Sequence, residues 1–207
     1  LIANNIPFIA TFDTLNQMEI VYEMVFDKSK KEMFVRHSSK HTTDAIEHVS
    51  VNWEGKFVFY TPQIVYGVDF VPKEAQEVFC FVTGKTLNPL QIVQQIARNR
   101  RISQLNYHCP VKPRALKYDS VDAVKEDYEV NKEAYIDVFG KYLAAVINEN
   151  GDLQVVNNSM IENHYCNVFF NDVLRSNFKH HFMSILKEKG FKIEIDDEKI
   201  EEIGKET

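Results

Sequence analysis

Gln94, Arg98 and Arg101 bring one amide and two guanidinium groups together at helical spacing, the pattern in this 207-residue chain with the clearest chemistry. Guanidinium groups bind phosphate and carboxylate oxygens in a planar, bidentate way, so paired arginines suit an anionic ligand. Upstream, Thr61-Pro62-Gln63-Ile64-Val65-Tyr66-Gly67-Val68-Asp69 ends an apolar run with a hydroxyl, then offers a glycine and a carboxylate. The Thr61 hydroxyl and N–H suit a phosphate oxygen, and Gly67 permits close backbone approach or a positive φ. Asp69 offers its carboxylate to a sugar hydroxyl, to a water near Mg²⁺, or to an arginine.

Both segments need elements to position them. At 100° per residue Gln94, Arg98 and Arg101 fall within about 60° of one another, with Ile92, Val93, Ile96 and Ala97 opposite. Arg100 lands in the apolar arc, so either the helix ends near Asn99 or Arg100 snorkels outward. Asn88-Pro89 is a helix start, with Asn as cap and Pro at the first helical position. The loop follows an apolar, aromatic run over 56–60, expected to be a buried strand. Further strands are expected over 6–12, 32–35, 78–82 and 105–109. Helices are expected over 15–26, after the cap types Asp13 and Thr14, and from Thr42 or Thr43 through Val49. Alternating strands and helices with nearly continuous apolar strands predict an α/β fold, a mostly parallel sheet covered on both faces. Ligands of such sheets lie beyond the carboxyl ends of the strands, where Thr61 and Asp13 fall.

After Pro113 the pattern changes. A helix is expected from Asp119 or Ser120 to about Ile147, then the turn Asn148-Glu149-Asn150-Gly151, and another helix over 171–189. The expected division is therefore 1–118 and a mainly helical C-terminal extension, 119–207.

The net charge of −6 conceals an asymmetry: from Val78 to Tyr118 there are seven Lys and Arg and no Asp or Glu. A basic island in an acidic chain gathers anions at one place. Three cysteines, Cys80, Cys109 and Cys166, without a CxxC pair suit a reducing, intracellular compartment. No apolar run long enough to span a membrane occurs. The opening Leu1-Ile2-Ala3 lacks an initiator Met and a signal pattern, so the chain is expected to begin within a longer polypeptide. His108/Cys109, His164/Cys166 and His180/His181 match no compact zinc spacing, so no metal site is expected. Trp53, Tyr60, Phe70 and Tyr107 are either stacking platforms for bases or core aromatics.

Thr61…Gly67-Val68-Asp69 resembles motif V of superfamily 2 helicases, and Gln94-x-x-Ala97-Arg98-x-x-Arg101 resembles their motif VI. The stretch 8–14 sits where motif IV is expected. The wording of these segments is most similar to origin-binding, replication-type helicases of large DNA viruses and mobile elements, over roughly residues 1–110. The resemblance implies the second RecA-like lobe of an ATP-dependent motor. Thr61, with Pro62 beside it, would contact the nucleic-acid backbone, while Gly67 and Asp69 would face the nucleotide. Gln94 would sense nucleotide, and Arg98 and Arg101 would meet its phosphates, one as the arginine finger. Arg100 competes with Arg101 for the second role. Ala97 replaces the usual Gly, and Tyr66 stands where many members have Arg.

No G-x-x-x-x-G-K-[ST] loop is present: Gly84-Lys85-Thr86 echoes its end, but position 79 is Phe79. ATP and Mg²⁺ would therefore be held mainly by an N-terminal RecA-like lobe of the same polypeptide, and this chain alone is expected not to hydrolyse ATP. The implied partner is nucleic acid, DNA by the resemblance. Two other readings stand beside it: a non-catalytic scaffold or nucleic-acid-binding module, and a different α/β nucleotide-binding enzyme.

Overall fold

The structure, a computed structural model, describes residues 1–41, 48–64 and 68–194. It divides into two units, Leu1–Val111 with the chain from Lys179 onward, and Lys112–Phe178.

In the first unit the apolar runs become β1 (Phe8–Phe12), β2 (Phe34–His37), β3 (Phe57–Tyr60), β4 (Gln76–Phe81) and β5 (Ile102–His108). They form one sheet in the order β2-β3-β1-β4-β5, each neighbouring pair parallel. Between them run α1 (Leu15–Val25), α2 (Val49–Asn52) and α3 (Pro89–Ile96). The chain thus adopts the expected α/β class, with helices on both sides of the sheet and in the C-terminal region. Residues 42–47, where a helix start was expected, lie outside the described residues.

Strand alternation sorts the core into two layers. Phe8, Ala10 and Phe12 of β1 share a face with Phe57 and Phe59 of β3 and pack against Met18 and Tyr22 of α1. Phe8 stacks on Phe57 at 5.2 Å between ring centroids, and Phe59 meets Tyr22 edge-on at 5.2 Å. Each such aromatic contributes roughly 1.5–3 kcal/mol by burial. On the other face Tyr60 stacks on the fully buried Trp53 and donates its hydroxyl proton to the Gln95 carbonyl of α3 at 2.7 Å. Trp53, Tyr60 and Phe70 are therefore core aromatics rather than exposed platforms.

The second unit differs from the single long helix expected after Asp119. It contains α4 (Val121–Val130), α5 (Ile136–Lys141), an antiparallel hairpin of β6 (Ala145–Ile147) and β7 (Leu153–Val155), and α6 (Ser159–Ser176). Asn131 turns its amide back onto the Asp127 carbonyl and carboxylate, ending α4, and Leu143 takes a positive φ of 53° that ends α5. Tyr118, Val124, Tyr128, Phe139, Ile161 and Tyr165 fill its core.

The expected boundary at 118/119 also moves. Asp172 of α6 accepts hydrogen bonds from Arg114 Nη2 (2.6 Å) and from the N–H groups of Lys117 (2.6 Å) and Tyr118 (3.1 Å), tying the 112–118 segment into the second unit. At the far end, α7 (Phe178–Glu188) carries Phe182, which packs edge-on against Tyr107 of β5. From Lys179 the chain therefore belongs to the first unit. These contacts are long-range and leave no mark on local composition.

Candidate functional site

A full capping box starts α3: the Asn88 side chain accepts from Gln91 N–H while the Gln91 side chain accepts from Asn88 N–H. The helix stops at Ile96, with Ala97 as its C-cap. Of the trio read as one helical face, Gln94 stands exposed in the last turn, whereas Arg98 and Arg101 lie beyond the helix. The shared face is not formed, because tertiary contacts take the backbone out of the helix. Phe70 N–H donates to the Arg98 carbonyl at 2.9 Å, and Arg100 N–H donates to the Phe70 carbonyl at 2.9 Å. Together these make a parallel bridge between Phe70 and Asn99.

Asn99 is the pin of this bridge. It is 2% exposed. Its amide donates to Gln76 Oε1 at 3.3 Å, and its Oδ1 accepts the Arg101 N–H at 2.8 Å. Both halves of the buried amide are thus used, as burial requires. Arg98 sends Nη1 to the Val68 carbonyl (3.0 Å) and Nε to the Gln94 carbonyl (3.2 Å). Arg100 Nε pairs with the Asp69 carboxylate, and Arg101 Nη1 reaches the Lys73 carbonyl at 2.7 Å. Of the three partners open to Asp69, an arginine is the one it has in this structure. Gly67 lies outside the described residues.

Thr61 and Pro62 lie at the carboxyl end of β3. Thr61 follows β3, is 4% exposed, and donates its N–H to the His37 carbonyl at 3.1 Å; Pro62 opens a 3₁₀ turn to Ile64. Asp69 and the arginines instead precede β4 and β5. The structure brings Asp69, Arg98 and Arg100 together, while the Thr61 N–H is used by His37.

Asp13 has a role that sequence reading missed. Thr14, not Asp13, occupies the N-cap of α1. Asp13 is fully buried and accepts from Thr83 N–H (2.9 Å), from Thr83 Oγ1 (3.0 Å) and from Lys85 N–H (3.2 Å). It therefore organises the Thr83-Gly84-Lys85 loop between the carboxyl ends of β1 and β4. Nearby, burial pushes the Cys80 thiol up to about 12, with the Thr11 hydroxyl 3.8 Å from its sulfur. Cys80 is thus an inert core residue at neutral pH.

Arg98 and Arg100 match phosphate oxygens in charge and geometry. For Mg²⁺ this end offers the Asp69 carboxylate, already engaged by Arg100. Among the described residues no group of three His, Cys, Asp or Glu side chains is placed to hold a metal ion. No helix among them is long and apolar enough to cross a membrane.

No family model matches the chain, and no curated protein matches it. Among solved structures it is similar to the crystal structure of the C-terminal part of the Fun30 ATPase domain, with 11% sequence identity and a TM-score of 0.35. The match covers 87% of this chain and 50% of that one, so the chain spans half the length of the structure it matches.

Proposed function

We propose that the first unit is the second RecA-like lobe of a superfamily 2 helicase or translocase, of the kind found in origin-binding, replication-type helicases. The observation that carries this reading is the meeting of the two motif segments. Asp69, at the end of the motif V-like stretch, pairs with Arg100 of the motif VI-like stretch, and Arg98 holds the neighbouring Val68 carbonyl. Motifs that serve one ligand must converge in space, and these converge across about 30 residues of sequence through a buried bridge.

In this reading an N-terminal RecA-like lobe of the same polypeptide binds ATP and Mg²⁺, and this chain closes on it. Gln94 and the arginines supply donors to the phosphates, where charge develops during transfer. Mg²⁺, when bound with the nucleotide, would supply neutralising charge to the phosphate oxygens. Thr61 and Pro62, at the carboxyl end of β3, serve the nucleic-acid backbone, DNA by the resemblance. The machine works in an intracellular, reducing compartment.

The test is nucleic-acid-stimulated ATPase of the polypeptide carrying both lobes, wild type beside Arg98→Ala. An arginine finger is worth about 10³–10⁵ in rate. The expected result is a collapse of stimulated turnover with DNA affinity kept. Equal turnover in both proteins, or none in either, overturns the motor and favours a non-catalytic scaffold or nucleic-acid-binding module.

A further inference from the structure

We propose that Arg100, rather than Arg101, is the second anion-binding arginine of this edge, and that Asp69 is its built-in competitor. The proposal rests on the motor reading above and concerns how that site is assembled and restrained.

Asn99 is buried at the bridge to Phe70 and is flanked by Arg98 and Arg100. Their partners agree: Arg98 reaches the Val68 carbonyl and Arg100 the carboxylate of the next residue, Asp69. Arg101 has a different use. Its N–H is held by the Asn99 side chain and its guanidinium by the Lys73 carbonyl, so both ends tether the chain entering β5. Removing Arg101 loosens a tether, whereas removing Arg100 removes the exposed cation beside Asp69.

Asp69 and Arg100 are also reachable. Their side chains are 61% and 50% exposed, so a phosphate can approach the guanidinium from solvent. A phosphate oxygen and the Asp69 carboxylate compete for the same planar donor face, and one must leave when the other binds. An ion pair this exposed is weak, so the competition amounts to about two- to fivefold in affinity rather than a lock.

The experiment compares Arg98→Ala, Arg100→Ala, Arg101→Ala and Asp69→Asn in the two-lobed polypeptide. Stimulated ATPase, the Kd for an N-methylanthraniloyl-labelled ATP and the thermal midpoint are measured for each. Arg100→Ala is expected to lose at least about a hundredfold in turnover at an unchanged midpoint. Arg101→Ala is expected to lose less than tenfold and to lower the midpoint. Asp69→Asn is expected to tighten labelled ATP about two- to fivefold, and the Asp69→Asn/Arg100→Ala double variant to show no such gain. A loss in Arg101→Ala equal to that in Arg100→Ala overturns the assignment. So does an Asp69→Asn gain that is absent, or that survives in the double variant. The two readings fail differently: silence of Arg98→Ala removes the motor itself, while its collapse beside a silent Arg100→Ala sinks this proposal alone.

Discussion

The Gln95 side-chain amide donates to the Phe12 carbonyl at 3.1 Å, joining the last turn of α3 to the end of the central strand. Gln95 is fully buried, and its own carbonyl accepts the Tyr60 hydroxyl at 2.7 Å. One residue away, Gln94 points to solvent. The two adjacent glutamines therefore divide the work, one holding the helix on the sheet and the other facing outward.

Truncating these neighbours separates the roles. Gln95→Ala removes a donor to Phe12 and leaves a void, and it should lower unfolding free energy by about 2–3 kcal/mol. Gln94→Ala should stay within about 0.5 kcal/mol. Urea unfolding followed by Trp53 fluorescence reads both, and equal effects would contradict the division.

Gly84 should tolerate no side chain. Its φ is +73°, and an added Cβ would stand 2.9 Å from Val111 Cγ2. Left-handed strain and the steric contact together put Gly84→Ala at about 1–3 kcal/mol of destabilisation. Because the same loop is organised by Asp13, hydrogen exchange at Thr83 and Lys85 should accelerate in this variant. Unchanged exchange and stability would refute the packing.

Asp172 should make the second unit acid-sensitive. Burial pushes its carboxyl up, but hydrogen bonds from Arg114 and from the N–H groups of Tyr118 and Lys117 outweigh burial and hold it below the usual carboxylate range. A depressed carboxyl adds stability that is complete above the unfolded value, about 3.9, and is lost as pH falls through the folded value. Arg114 is 46% exposed, so solvent weakens its arm, and the backbone donors of Lys117 and Tyr118 share the effect with it. Asp172→Asn should cost about 2 kcal/mol at pH 7 and much less at pH 2.5. Far-UV circular dichroism during urea titration at both pH values checks this; a cost independent of pH would show that the charge is not involved.

The places where sequence reading stopped short share one cause. The strands were legible because β1 and β3 are apolar on both faces, as central parallel strands must be. The start of α3 was legible because a capping box is local. Its end was not, because the bridge to Phe70, some 29 residues away, removes Arg98 to Arg101 from the helix. The break of the long helix expected after Asp119 was likewise hidden, since Leu143 adopts a positive φ without being glycine or asparagine.

Taken by itself, the amino-acid sequence determined the five strands of the parallel sheet, the starts of α1, α3 and α4, the basic island, and the order of the motif-like stretches, because each depends on residues close together along the chain. Tertiary structure decided the rest: that Asp69 meets Arg100, that Arg101 is tied back to Lys73, that Asp13 holds the Thr83 loop, and that the chain from Lys179 rejoins the first unit. A buried polar group takes whichever partner the fold delivers, and that partner is chosen by packing between elements far apart in the chain.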